Sequence, residues 1–107
     1  MRILLDECVP QPLRRQFPTH DVLTAREMGW AGKKNGELLA LMAGAGFAAL
    51  LTVDQNLRYQ QNLVAYGIAV LVMISPTNRL AELLLLVPKV DAALGSIQVG
   101  DVVEVRA

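Results

Sequence analysis

Between Phe47 and Val53 every residue except Thr52 is apolar, and the run stops abruptly on Asp54. A short run of this kind reads as a buried strand that delivers a carboxylate to its carboxyl end, which is where open α/β sheets place their ligand sites. Arg2 to Asp6 repeats the pattern near the start of the chain, with Ile3, Leu4 and Leu5 leading into acid. Asp21 to Thr24 reads as a further short strand, and Ile68 to Ile74 as a fully apolar one.

Helices fall between these runs. Pro10 and Pro12 open a short one carrying Leu13, Arg14, Arg15 and Phe17, and a helical turn around Arg26 to Met28 ends at Gly29. Asn35 is positioned as an N-cap, Leu38, Leu41, Met42 and Ala45 recur at helical spacing, and Gly46 closes the segment. Gln55 to Leu63 reads as a helix, as does Asn78 to Leu94 with an interruption at Pro88. In the tail, Gly100-Asp101 separates Ile97–Val99 from Val102–Val105, as a small hairpin or one bulged strand. Strands alternating with helices imply α/β architecture with a mainly parallel sheet covered on both faces.

Length and composition narrow the class. With 107 residues, 53% hydrophobic and 19% charged, the chain is expected to form one globular domain over residues 1–107. Ten basic and ten acidic residues cancel, so a nucleic-acid contact requires a local patch rather than a global field. Cys8 is the single cysteine, which excludes an intrachain disulfide and a cysteine zinc cluster. The amino terminus lacks the regions of a signal peptide and the apolar runs are short, so the expected location is the cytoplasm.

In a parallel sheet the carboxyl ends of strands and the amino ends of the following helices share one edge. Asp6 and Asp54 end strands and Glu37 starts a helix, so all three acids are expected there, with Glu37 turned toward the buried side one turn before Leu41. Clustered carboxylates repel unless a cation offsets them. The oxygen donors Asp6, Glu37, Asp54 and Asn56 favour Mg²⁺ or Mn²⁺, because one histidine and one cysteine cannot build a zinc site. Such a metal serves phosphodiester hydrolysis.

Three segments carry a resemblance. Ile3-Leu4-Leu5-Asp6-Glu7, Lys33-Lys34-Asn35-Gly36-Glu37 and Leu51-Thr52-Val53-Asp54-Gln55-Asn56-Leu57-Arg58 resemble, in order, the acidic motifs of PIN domains. The match is closest to a short bacterial PIN-like group related to VapC-type toxins. It implies a three-layer α/β/α sandwich and a Mg²⁺- or Mn²⁺-dependent ribonuclease, the toxin of a toxin–antitoxin pair. By resemblance Asp6, Glu37 and Asp54 are catalytic metal ligands, Asn56 is a further ligand in a place where many active members carry an acid, and Glu7, Thr52 and Asn35 support them. The implied partners are RNA, a small antitoxin protein and a second copy of the chain.

Lys33, Lys34 and Arg58 neighbour these acids and so would flank an RNA substrate, while Arg14, Arg15 and Arg26 read as surface. Tyr59 and Trp30 are candidates for stacking on an unpaired base. Two rivals stand beside the nuclease. A PIN-like binding module without catalysis is favoured by the neutral charge and Asn56. A receiver-like phosphoacceptor domain would use Asp6, Glu7, Asp54 and Ser75, but the Lys-Pro pair expected after a fifth strand is replaced by Pro88-Lys89 within a helical stretch.

Overall fold

The computed structural model describes residues 1–33, 35–55 and 63–107. Five strands, β1 (Arg2–Leu5), β2 (Asp21–Thr24), β3 (Ala49–Thr52), β4 (Ala69–Ile74) and β5 (Val102–Arg106), pair in the order β2-β1-β3-β4-β5. Every pairing is parallel, so the sheet is wholly rather than mainly parallel. Of the expected helix over Gln55 to Leu63, residues 56–62 lie outside the described residues.

The apolar runs form central strands because both faces of the sheet are covered. In β3 all four residues are buried, and in β1 and β4 only the end residues Arg2 and Ile74 are less than fully so. Alternate side chains divide between two cores. Ile3, Leu5, Leu51, Leu71, Met73 and Val105 pack on one face with Leu13 of the 3₁₀ helix Gln11–Gln16 and Phe17 just after it, with Leu83 of α3 (Leu80–Leu84), and with Val90 and Leu94 of α4 (Val87–Leu94). Leu4, Leu50, Val70 and Val72 pack on the other with Leu38, Leu39 and Met42 of α1 (Asn35–Gly44) and Leu63 of α2 (Leu63–Tyr66). Each fully buried aliphatic side chain contributes about 1.5–3 kcal/mol by leaving water.

Helix ends follow the local chemistry. Gly46 adopts φ +79, which lets Phe47 N–H reach the Met42 carbonyl at 3.0 Å and Gly46 N–H reach Ala43 at 3.2 Å. This closure returns the chain onto the sheet with Phe47 buried in the core it enters. The long apolar segment before Pro88 is two helices, because proline lies in the first turn of α4, where its missing N–H costs nothing. Among the described residues no helix is long and apolar enough to cross a membrane.

The tail is neither a hairpin nor a bulged strand. Asp101 Oδ2 accepts the Gln98 N–H at 2.9 Å and its own N–H bonds to Gln98 O at 2.9 Å, closing a turn. β5 then runs parallel to β4 from Val70↔Val102 to Ile74↔Arg106.

Reaching β5 gives the last crossover an unusual hand. The 3₁₀ helix carries the chain from β1 out to β2 over the first face, and α1 and α2 carry it the other way over the second face, so these three share a hand. α3 and α4 step in the same direction as α1 and α2 but over the first face. Their crossover therefore has the opposite hand, a rare arrangement among parallel β units. β5 shows the result: Val103 and Val105 pack against the first-face core, while Glu104 on the second face is exposed.

This placement is testable at two adjacent leucines. Leu86 is 1% exposed and Leu85 is 76% exposed. Leu86→Ala is expected to cost about 2–5 kcal/mol of unfolding free energy, and Leu85→Ala to stay within about 0.5 kcal/mol, as read from urea denaturation.

Candidate functional site

Strand order turns round between β1 and β3: from β1 the chain goes outward to β2, then returns across β1 to β3. At such a point the loops leaving the two strands diverge and open a crevice at the carboxyl edge. Asp6 follows β1 and Asp54 follows β3, so the two acids flank it.

A buried hydroxyl ties the two strand ends together. Thr52, 0% exposed, donates from Oγ1 to Asp6 Oδ2 at 2.7 Å and accepts the Asp54 N–H at 3.1 Å. Asp6 Oδ1 takes the Glu7 N–H at 2.9 Å, and the Asp6 N–H is itself held by Leu51 O at 3.0 Å. The carboxylate of Asp6 is thus fixed in one orientation, half-buried, while Asp54 is exposed beside it. Cys8 completes the group, with Sγ 3.6 Å from Asp6 Oδ2 and 3.7 Å from Thr52 Oγ1. Partial burial of the thiol, reinforced by the Asp6 charge, raises its pKa.

On the other side of Asp6 a cavity of about 290 Å³ opens between the ends of β1 and β2, bordered by Glu7, Thr24 and Arg26. Both oxygens of Glu7 accept the Gly32 N–H at 3.2 Å, so the loop before α1 is pinned to the end of β1. Arg26 is carried on a turn with its own reciprocal cap: Glu27 Oε1 accepts the Thr24 N–H at 2.6 Å, and Thr24 Oγ1 accepts the Glu27 N–H at 3.1 Å. Arg14 adds an ion pair to the same Glu27 oxygen at 2.8 Å. The Thr24 N–H, and secondarily Arg14, hold the Glu27 carboxyl below its ordinary pKa. Thr24-Ala25-Arg26-Glu27 is a capping-box spacing, the sequence signal that anticipates this turn.

The other expected site residues stand apart from this pair or lie outside the described residues. Glu37 is exposed and pairs with Lys33 at 3.5 Å, and the buried face of α1 is Leu38, Leu39 and Met42, so Glu37 does not turn toward the core. Asp6, Glu37 and Asp54 are not drawn into one metal-holding group, and none of three or more His, Cys, Asp or Glu occurs among the described residues. Asn56, Lys34, Arg58 and Tyr59 lie outside the described residues, as does the side chain of Asn35. Trp30 packs edge-on against Phe47 at 5.7 Å and is half-buried, so it is not an open stacking platform.

No family model, curated protein or solved structure matches the chain. Chemically, the edge offers an oriented carboxylate at Asp6, a second, exposed carboxylate on Asp54, whose backbone N–H is tied to Asp6 through Thr52, and a polar cavity alongside.

Thr52→Val keeps the shape but removes the hydroxyl. It is expected to cost about 1–3 kcal/mol, because the Asp54 N–H and Asp6 Oδ2 both lose a partner, measured by chemical denaturation. Glu27 gives a pH signature. Its folded pKa lies below the ordinary 4.5, so its contribution is complete above that value and is lost as pH falls through the lowered one. Stability against pH should therefore fall less steeply below 4.5 in Glu27→Gln than in the parent.

Proposed function

We propose that the chain is a metal-dependent ribonuclease of the PIN-like type, with the three-layer α/β/α arrangement of that group. The observation that carries the reading is the Thr52 hydroxyl, which couples Asp6 to the backbone of Asp54 across the β1/β3 crevice. Helices over both faces of a parallel sheet support the layered arrangement. The role as toxin of a toxin–antitoxin pair, with a small protein antitoxin, rests on the resemblance of the three acidic motifs.

The donors fit Mg²⁺ or Mn²⁺. Mg²⁺ keeps several waters and takes one or two carboxylates, so Asp6 and Asp54 would be the direct ligands, while the parts of Glu37 and Asn56 rest on the resemblance alone. When bound, the metal supplies polarisation of a phosphoryl oxygen and an activated water. The chain's own part is positional. Asp6 is held by Thr52 and the Glu7 N–H before any ligand arrives, so little reordering is needed on binding. Asp54, exposed at the mouth, would meet a phosphodiester through a shared cation, and exposed Lys33 offers a charge to the RNA backbone.

Strand order favours one second reading. The order β2-β1-β3-β4-β5 is that of receiver-type sheets, with Asp54 after β3 and Ser75 after β4. β5, however, ends in Arg106, and Lys89 reaches that end from α4, donating to Arg106 O at 2.9 Å.

The test is incubation of the purified protein with single-stranded RNA and Mn²⁺ or Mg²⁺, beside Asp6→Asn and Asp54→Asn. Cleavage by the parent that stops with EDTA and falls at least about a hundredfold in each variant is expected. Metal-dependent cleavage persisting in both variants overturns the site. RNA binding without cleavage by the parent favours a binding module, and labelling of Asp54 by a small phosphodonor favours the receiver reading.

A further inference from the structure

The cavity beside Asp6 is not needed to hold a metal, and its lining is chemically mixed. Glu7 and Asp6 bring two carboxylates, Arg26 one guanidinium, Gln11 an amide and Thr24 a hydroxyl, while Val9 and Pro10 supply apolar wall. Among the described residues carboxylates outnumber the cation, so a phosphate is repelled, and the guanidinium disfavours a bare cation. The occupant that suits such a lining is an uncharged planar group with donors on one edge and acceptors on the next. At about 290 Å³ the space lies at the small end of ligand pockets, enough for one ring system rather than a length of chain.

We propose that this cavity binds an unpaired guanine base of the RNA, with Glu7 accepting from the base's N1–H and N2–H₂ and Arg26 donating to O6 and N7. Among the bases guanine alone presents a pair of donors beside a pair of acceptors, matching a carboxylate and a guanidinium in turn. Both readers are pre-set. The single Gly32 N–H shared by the two Glu7 oxygens orients the carboxylate and leaves each oxygen with a further lone pair. Arg26 stands on the turn locked by Thr24, Glu27 and Arg14, and among the described residues it forms no ion pair of its own. With no aromatic side chain in the lining among the described residues, discrimination comes from the two edges rather than from stacking.

The inference rests on the ribonuclease reading for its choice of RNA, yet its test does not require cleavage. Fluorescence anisotropy in EDTA compares labelled hexa-uridine RNAs in which one central residue is guanosine, adenosine or cytidine. The guanosine RNA is expected to bind about tenfold or more tighter than the others, and Glu7→Gln and Arg26→Met each to remove that preference. Glu7→Gln keeps an acceptor for Gly32, and Arg26 is exposed, so both variants are expected to fold, as thermal unfolding verifies. Equal binding of all three RNAs, binding of none, or a preference that survives both variants overturns the proposal. Adding Mn²⁺ separates the two ideas. Cleavage indifferent to guanine sinks the base pocket and keeps the ribonuclease, while guanine-selective binding without cleavage keeps the pocket and sinks the ribonuclease.

Discussion

A parallel strand buried on both faces has nowhere to carry a polar side chain except at its ends, and the whole arrangement of this protein follows from that limit. The backbone groups of β1, β3 and β4 are satisfied by one another, and their side chains are given over to two apolar cores. Thr52 is the informative exception. Its hydroxyl is buried at the last position of β3, where it has both a carboxylate and an N–H to engage. Placed further down the strand it would meet only hydrocarbon and cost far more than it returns. Chemistry is thereby confined to one rim of the sheet.

That rim has two sides with different characters. Toward β3, Asp6 and Asp54 are coupled through one hydroxyl and form the part suited to a divalent ion. Toward β2, Glu7 and Arg26 face a cavity whose opposing charges suit an uncharged ring. Asp6 borders both and is the hinge between them. Backbone N–H groups given to carboxylates stiffen both sides, Glu7 to Asp6 toward β3 and Gly32 to Glu7 and Thr24 to Glu27 toward β2, alongside the buried anchors Val9 and Ala25.

Much of the framework was legible in the sequence because parallel strands are so distinctive. The apolar runs ending at Asp6 and Asp54, the helix from Asn35 and the break near Pro88 all have counterparts in the structure. What escaped has physical reasons. A short run such as Ile97–Val99 carries no mark of its long-range partner, so a turn closed by Asp101 looked like half a hairpin. Glu37 was read as inward from a single spacing to Leu41, but Leu38, Leu39 and Met42 set the buried stripe and leave it beside Lys33. Arg26 is exposed, as a surface reading expects, while the reciprocal cap of Thr24 and Glu27 that carries it was visible in the sequence only as a spacing.

The hand of the final crossover also shapes how molecules of this protein meet one another. By laying α3 and α4 over the first face, it leaves β5 as an edge strand whose second side, beyond Val102, is open to water. That side carries Glu104 and Arg106, paired at 3.1 Å, and the amino group of Lys89 occupies the carbonyl at the strand's end. A short edge bristling with charge is a poor template for another strand, since any chain adding to it must strip solvent from both ions. The uncommon topology thus carries its own guard against edge-to-edge aggregation.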